Sequence, residues 1–367
     1  MDSPAAGPDE YFMDQALALA AGVLGRTSPN PAVGCVIVKQ GRVVAKGATA
    51  AGGRPHAETQ ALQIAGRRAR GAVAYVTLEP CAHIGQTPPC AQALIDAGVG
   101  RVVVGCIDPY PAVRGRGVRR LRAAGIEVVL GVRQAECRRL NEGFIWRVSK
   151  GRPFVLLKLA LTLDGRIAIP GRRWLSGAPA RALVHRWRNE YDVVMVGAGT
   201  VIADDPRLTC RMTRGRDPVR IVVDAHLRVP AQARLFHLRS QAPSLLATLS
   251  AHDAQARGRY RAEILALPAN RAGLVDLNAL MTVLAERGWS KVMIEGGAQL
   301  AGAALAARVV DRLAFFITPR IAGAGLPAVS PIDNRASGIA VRELAARAMG
   351  QDWLLEGRPH FAAQVER

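Results

Sequence analysis

His56, Glu58, Cys81 and Cys90 are the residues of this chain whose types and spacing could do chemistry. One imidazole and two thiolates make a three-ligand zinc site. Three protein ligands leave a fourth coordination position open to water, which is the layout of a catalytic zinc. Zinc lowers the pKa of such a water toward ~7, but attack on an amidine carbon also needs a proton removed and then delivered to the departing ammonia. Glu58, two residues beyond His56 and not required as a ligand, stands where it can carry that proton. The chemistry implied is hydrolytic loss of an exocyclic amine from a nitrogen heterocycle.

Local sequence must bring these groups together. Pro55 precedes a helical stretch over His56–Ile64, and Pro89 precedes another over Cys90–Ala97. Both His56 and Cys90 then sit at helix N-termini, where the dipole favours thiolate over thiol. Cys81 follows the strand Val73–Leu78, so the ligands converge at the C-terminal edge of a strand, the usual place for a site in an α/β fold. The set matches the zinc-deaminase signature His-x-Glu followed by Pro-Cys-x-x-Cys, except that eight residues separate the cysteines. That insertion supplies a loop suited to substrate recognition. It also admits a reading in which His83 closes the site as a fourth ligand and the zinc is structural, which leaves Glu58 without a purpose. Cys35, Cys106 and Cys137 sit in apolar or helical surroundings and read as packing residues.

Around this set the chain alternates between a helical stretch (Asp9–Leu24), strands at Ala32–Val38, Ala72–Leu78 and Arg101–Gly105, and helical segments between them. This is the pattern of an α/β layer fold. A further helical stretch near Gln134–Val148 leads into Ser149–Pro153, a polar segment carrying Gly and Pro that suits a linker. The domain boundary is expected there, with residues 1–148 in one domain and 149–367 in the next. The second domain also reads as α/β, with strands at Phe154–Leu159, Asp192–Gly197, Val219–Asp224, Ser244–Leu249, Lys291–Ile294 and Arg312–Thr318. In it, Glu295, Gly296 and Gly297 lie between a strand and the helical run from Ala298, so helix N-terminal amides are available to a cofactor phosphate. The run Gly197-Ala198-Gly199 lacks the full dinucleotide fingerprint, which argues against a Rossmann domain. Arg188 and Arg211 suit a substrate phosphate through charge-assisted forks, and read equally as surface arginines in so basic a chain.

Bulk properties narrow the class. At 367 residues the chain is long enough for two or three domains with cores of their own. No apolar run approaches the ~20 residues that span a bilayer. Met1–Glu10 carries acids and prolines where an export signal would place positive charge and an apolar segment, so a cytoplasmic enzyme without a membrane partner is expected. Six thinly spread cysteines argue for reduced thiols or metal ligands over a disulfide framework. The formal charge of +20 is nearly all arginine, scattered through both halves, with Arg67–Arg70 and Arg114–Arg120 as short solvated clusters. Without a lysine block or interleaved aromatics, no nucleic-acid partner is expected, and local arginines serve a small phosphorylated substrate equally well.

These residues, together with Pro29-Asn30-Pro31, Thr77–Cys81 and Asp108–Pro109 in the first half and Lys158–Arg166, Thr200–Pro206 and Ile294–Gly297 in the second, resemble the bifunctional riboflavin biosynthesis deaminase/reductases over nearly the whole chain. The zinc motif marks a superfamily. The wide cysteine spacing joined to this second domain is particular to the one family. The resemblance implies an α/β fold class, a cytidine-deaminase-like three-layer domain followed by a dihydrofolate-reductase-like α/β domain. It also implies two successive steps: deamination of a diaminopyrimidinone ribosylamine 5′-phosphate, then NADPH-dependent reduction of the ribosyl group to ribityl. By the resemblance, Zn2+ falls to His56, Cys81 and Cys90, proton transfer to Glu58, and a substrate contact to Asn30. NADPH contacts fall to Ala160, Trp174, Thr200, Asp204, Ala225 and the stretch Gly297, Ala298, Gln299, Leu300, Ala301 and Gly302. Substrate contacts in the second domain fall to Arg188, Leu208, Arg211 and Glu295.

Departures from the family pattern are as informative. Gln86 stands where the family usually has Lys or Arg and Thr49 where it often has His, which touches deaminase substrate contacts and leaves the metal set intact. Ala225 replaces a usual Ser, and the loop Ile167–Arg173 is too short to align its substrate residue. A paralogue with a related pyrimidine substrate therefore stays open, as do a nucleobase or transfer-RNA deaminase with an unrelated basic domain and a non-catalytic, zinc-stabilised nucleic-acid-binding protein. A homo-oligomer built through the second domain and the preference between NADPH and NADH are also left open.

Overall fold

Val73–Leu78 and Arg101–Cys106 are dense in β-branched residues and almost wholly buried, as the interior strands of a parallel ladder must be. The computed structural model describes residues 7–82, 88–169, 171, 174–213, 215–330 and 338–361, so His83 and Gln86 lie outside the described residues. The chain divides into two compact units, one ending at Gly151 and the next beginning at Arg152.

The first unit runs α1 (Pro8–Ala21), β1 (Gly34–Lys39), β2 (Arg42–Ala48), α2 (Ala57–Ala65), β3 (Val73–Leu78), α3 (Cys90–Asp96), β4 (Arg101–Cys106), α4 (Arg116–Ala123), β5 (Glu127–Leu130), α5 (Gln134–Leu140) and α6 (Glu142–Lys150). Its sheet has the order β2-β1-β3-β4-β5. β1 is antiparallel to both neighbours, and β3, β4 and β5 are parallel. The pleat sends Gly34 and Gly47 to opposite faces. A Cβ on Gly34 would strike the backbone of Ala16 in α1, and one on Gly47 would strike the backbone of Ala57 at the start of α2. Helices therefore press closely on both faces of the sheet, giving three layers. Cys35, Cys106 and Cys137 are buried in this core, in the packing role their surroundings suggested. The helix expected over Gln134–Val148 is two helices, broken at Asn141. The buried Asn141 side chain accepts from Ala32 N (3.0 Å) and donates to Ala32 O (2.9 Å), and so braces the segment after Pro31.

The second unit runs β6 (Phe154–Thr162), α7 (Ala178–Glu190), β7 (Val193–Gly197), α8 (Ala198–Asp204), β8 (Val219–Val223), β9 (Ser244–Leu249), α9 (Asp253–Arg259), β10 (Glu263–Leu267), α10 (Leu277–Glu286), β11 (Lys291–Glu295), α11 (Ala298–Ala306), β12 (Arg312–Thr318), β13 (Ala340–Met349) and β14 (Asp352–His360). The sheet order is β10-β9-β8-β7-β11-β6-β12-β14-β13. Among the described strands of this sheet, only the β12–β14 and β14–β13 ladders are antiparallel. The chain moves outward from β7 through β8, β9 and β10, then returns to insert β11 between β7 and β6. That reversal is a topological switch point, and a crevice at the C-terminal ends of β7 and β11 is where such sheets bind ligands. The sequence did not foretell β13. Its run of Ala, Leu, Arg, Glu and Met favours helix, but pairing with β14 along most of its length overrides that preference.

Candidate functional site

In the first unit, His56 is the N-cap of α2, Glu58 lies in that helix's first turn, Cys90 opens α3, and Cys81 follows β3 after Glu79 and Pro80. His56 Nδ1 is 3.2 Å from Cys90 Sγ and 3.8 Å from Cys81 Sγ, and the three ligand atoms all lie within 4.8 Å of one another. Around a tetrahedral zinc with the usual Zn–N and Zn–S bonds, such atoms stand roughly 3.6 Å apart, so the set fits the ion. Glu58 is buried beside it, 4% exposed. Burial, reinforced by the charge on Cys81, pushes its carboxyl up to about 7.

Cys90 opens α3 as expected, and the same helix N-terminus also acts on the second sulfur. The amide of Cys90 donates to Cys81 Sγ (3.2 Å), and the amide of Ala91 donates to Cys81 O (3.1 Å). Hydrogen bonding from the Cys90 thiol, and then from His56, holds Cys81 down at about 4. The same bond raises Cys90, and the Cys81 partner raises His56. The first turn of α3 thus donates a backbone hydrogen bond to Cys81 and carries Cys90 itself, so both sulfurs sit where a thiolate ligand is favoured.

Glu79 was not singled out in the sequence beyond its place in a motif, yet it organises this edge. Its carboxylate accepts from Gly115 N (2.9 Å), Val118 N (3.2 Å) and Asp108 N (3.3 Å). The segment leading into α4 is thereby clamped against the strand end that carries Cys81. Burial, with the nearby Glu79 and Cys81 charges, raises Asp108 to about 6. No spacing rule could have found Glu79, because its partners lie 29 to 39 residues away.

Asn30 donates from Nδ2 to Gly53 O (3.0 Å), which ties its loop to the turn preceding Pro55 and His56. Gly53 is buried with φ +87, and a Cβ there would run into the Asn30 side chain. Gly53→Ala is therefore expected to cost about 1–3 kcal/mol from left-handed backbone and overpacking, and to raise KM for deamination. Denaturant midpoints and deaminase kinetics check this, and an unchanged KM would count against a role for Asn30 at the substrate. Thr49 is a different case. It is 2% exposed, and its hydroxyl accepts from Val33 N (3.0 Å), so it secures the edge of β1 and does not face a substrate.

In the second unit the structure joins two predicted residues 107 positions apart. Glu295, at the end of β11, takes a bidentate grip from Arg188 on α7 (2.6 and 2.9 Å), and Arg188 also donates to Thr209 O (3.0 Å). Arg188 is neither a surface residue nor an open phosphate fork, since its donors are turned to Glu295 and Thr209. Lys158, on the neighbouring β6 and in register with Glu295, brings its Nζ to 3.8 Å. Burial pushes the Lys158 ammonium down against the pull of Glu295. Burial raises the Glu295 carboxyl, but the charge and hydrogen bonds of Arg188, with Lys158, outweigh it and hold Glu295 at about 2. Arg211 is exposed, and its charge reaches His185 one turn before Arg188.

Across the switch point, a Cβ on Gly297 would lie 2.8 Å from Thr200 Oγ1, so α8 and the start of α11 face each other closely. The first amides of α11, at Ala298, Gln299 and Leu300, head a helix whose N-cap is Gly297. Leu300, Ala301 and Gly302 are buried on the inner face of α11 and offer a ligand backbone only. Ala160 is half-buried on β6, Asp204 is exposed at the end of α8, and Trp174 is 49% exposed with the Arg181 guanidinium 5.6 Å over its ring. Leu208 and Ala225 are buried, which again leaves only backbone to a ligand.

Residues 7–106 match the family described as cytidine and deoxycytidylate deaminase zinc-binding region, and residues 153–355 match the RibD C-terminal domain. The chain is 40% identical to riboflavin biosynthesis protein RibD of Actinobacillus pleuropneumoniae, covering 95% of this chain and 94% of that protein. It is 41% identical to the Escherichia coli protein of the same name, over 86% and 89% of the two chains. The crystal structure of a diaminohydroxyphosphoribosylaminopyrimidine deaminase/5-amino-6-(5-phosphoribosylamino)uracil reductase from Thermotoga maritima superposes with a TM-score of 0.83 at 36% identity, over 96% of this chain and 99% of that one.

Proposed function

We infer from its membership of the riboflavin biosynthesis RibD family, to which this chain belongs, that it is a bifunctional enzyme, a zinc-dependent pyrimidine deaminase and an NADPH-dependent reductase on one polypeptide. The first activity hydrolyses the amino group of 2,5-diamino-6-ribosylamino-4(3H)-pyrimidinone 5′-phosphate, and the second reduces the ribosyl side chain to ribityl. One observation carries the reading: three ligand atoms at zinc spacing with a buried, non-ligating carboxylate beside them, in a chain whose other unit is the reductase domain.

When bound, zinc supplies Lewis acidity toward water, and NADPH supplies the hydride. The chain's own residues supply the rest. Glu58, buried beside the three ligand atoms, takes a proton from the attacking water and delivers it to the leaving amine nitrogen. Asn30 borders the substrate from the loop that Asn141 and Gly53 hold in place. In the reductase, Glu295 is the buried anion at the substrate end, held by Arg188 and flanked by the Lys158 ammonium, and Arg211 is the exposed cation for the substrate phosphate. Thr200, which Gly297 closely approaches, and the Gly297–Gly302 stretch are the cofactor contacts, with Ala160, Trp174, Asp204 and Ala225, while Leu208 is assigned to the substrate.

A coupled assay that follows ammonia release and NADPH oxidation separately tests the function. Both signals are expected from the diaminopyrimidinone substrate. Ammonia without NADPH oxidation would favour a deaminase joined to an unrelated domain.

The reading gives nucleic acid no role. Among the described residues no helix is long and apolar enough to cross a membrane. We further propose a homodimer built through the second unit. All but the last residue of β13 is exposed at the end of its sheet, with Leu344 63% and the neighbouring Trp353 53% exposed. Such an edge invites pairing and is usually covered. Light scattering is expected to give twice the 39.1 kDa chain mass, and Leu344→Lys to shift the protein toward monomer. A monomeric wild-type protein sinks the dimer.

A further inference from the structure

We propose that Arg228, with His226 beside it, reads the 2′-phosphate of the dinucleotide and so sets the second unit's choice of NADPH over NADH; this rests on the reductase reading above. The argument begins with where the adenosine end of the cofactor must lie. Val223 closes β8 in register with Gly197 of β7, so the turn that starts at Asp224 stands one strand spacing, about 4.8 Å, from the start of α8. The substrate end of the crevice is marked by Glu295 on β11, Lys158 on β6 and Arg188 on α7. A dinucleotide that leaves this end along the strand termini passes over β7 and reaches β8.

The turn it meets there is held rigidly from beneath. Asp224 is 1% exposed, and its carboxylate accepts from Val229 N (2.8 Å) and His226 N (3.4 Å). The acid that could have taken ribose hydroxyls, as in an NAD-type site, is turned inward and committed to the backbone. Tyr260 Oη donates to Val229 O (2.7 Å) and Leu227 O (3.2 Å), and Arg259 donates to the same two carbonyls. Between them Leu227, a buried non-glycine residue, is held at φ +52, a sparsely populated conformation that persists only where its surroundings impose it. Arg234 ties the following segment to the end of α8 through Asp205 (2.7 and 2.8 Å).

What this turn presents at the crevice rim is cationic. His226 is exposed, and the Arg228 side chain is 53% exposed with its Nε 4.0 Å from Asp224 Oδ1. Asp224 lies at the outer limit of an ion pair with Arg228 Nε, and the guanidinium, on a side chain more than half exposed, is open to a phosphate, which it can match bidentately. Ala225 carries no hydroxyl, so recognition beyond the backbone falls to these two side chains.

The test is calorimetric binding of 2′,5′-ADP and of 5′-ADP to the full chain, for wild type, Arg228→Ala and Arg228→Lys, with thermal unfolding as a check on folding. Wild type is expected to prefer 2′,5′-ADP by about tenfold or more. Arg228→Ala is expected to lose that preference with 5′-ADP binding unchanged, and Arg228→Lys to keep part of it. An Arg228→Ala protein that retains the full preference overturns the proposal and leaves the reductase reading standing. Wild-type protein that binds both nucleotides equally, or neither, overturns the proposal together with the NADPH assignment.

Discussion

Glu58→Gln is expected to slow ammonia release by about 10²–10⁴-fold while NADPH oxidation on the already deaminated substrate is unchanged. The magnitude follows from what the residue does and where it sits. It is buried next to the three ligand atoms. A glutamine of the same shape fills the same space but can neither take nor return a proton. The zinc content of the variant should match wild type, because His56, Cys81 and Cys90 are already at ligand spacing without Glu58. The reductase lies in the other compact unit, so its rate serves as an internal control. A deamination rate within tenfold of wild type, with zinc retained, would show that another group moves the proton.

The largest expected effect on stability comes from Arg188→Leu. Glu295 and Arg188 have side chains 8% and 13% exposed, and removing one partner of so enclosed a pair leaves a buried charge, at a cost of about 3–5 kcal/mol to the second unit. The pH dependence should also reverse. In wild type the Glu295 carboxyl lies at about 2, below its ordinary 4.5, so its contribution is fully present above pH 4.5 and is lost as pH falls toward 2. Without Arg188, burial is opposed mainly by Lys158, and the carboxyl is expected to rise above its ordinary value. The folded state then holds more protons than the unfolded one, and the variant is expected to lose stability as pH rises from the carboxyl's ordinary value through the raised folded-state pKa. Calorimetry that resolves the second unit's transition measures both effects. An Arg188→Leu protein with wild-type stability and the wild-type pH slope would mean that Lys158 alone suffices for Glu295.

Reductase turnover separates positioning from folding in this variant. Arg188 acts through Glu295, so the rate on deaminated substrate should fall even at a temperature where the second unit is fully folded. Arg188→Lys, which keeps the charge without the bidentate fork, should recover stability more than rate.

What the sequence determined by itself was local. The zinc set could be read because His56 and Glu58 share one helix start and because a cysteine after a strand and another at a helix start are short-range placements. The interior strands declared themselves through continuous apolar runs: Ser244–Leu249 and Arg312–Thr318 have the limits their composition suggested, while β4 and β6 run one to three residues further. Short, mixed or edge strands did not. β2, β5 and β10 are edge strands with partly exposed residues and no long buried run, and β13 carries helix-favouring residues that only pairing with β14 draws into a strand.

Tertiary structure alone decided which polar groups share a low-dielectric space. It paired Arg188 with Glu295 and added Lys158, turned Thr49 inward onto Val33, made Glu79 the clamp of the α4 segment, and set Cys81 against the first amide of α3. Periodicity, capping and ligand type act over a turn of helix or a few residues of strand, and a sequence displays them directly. The partner of a buried charge is set by how distant elements pack. Its large effect on a pKa or on stability appears only once that packing has excluded water.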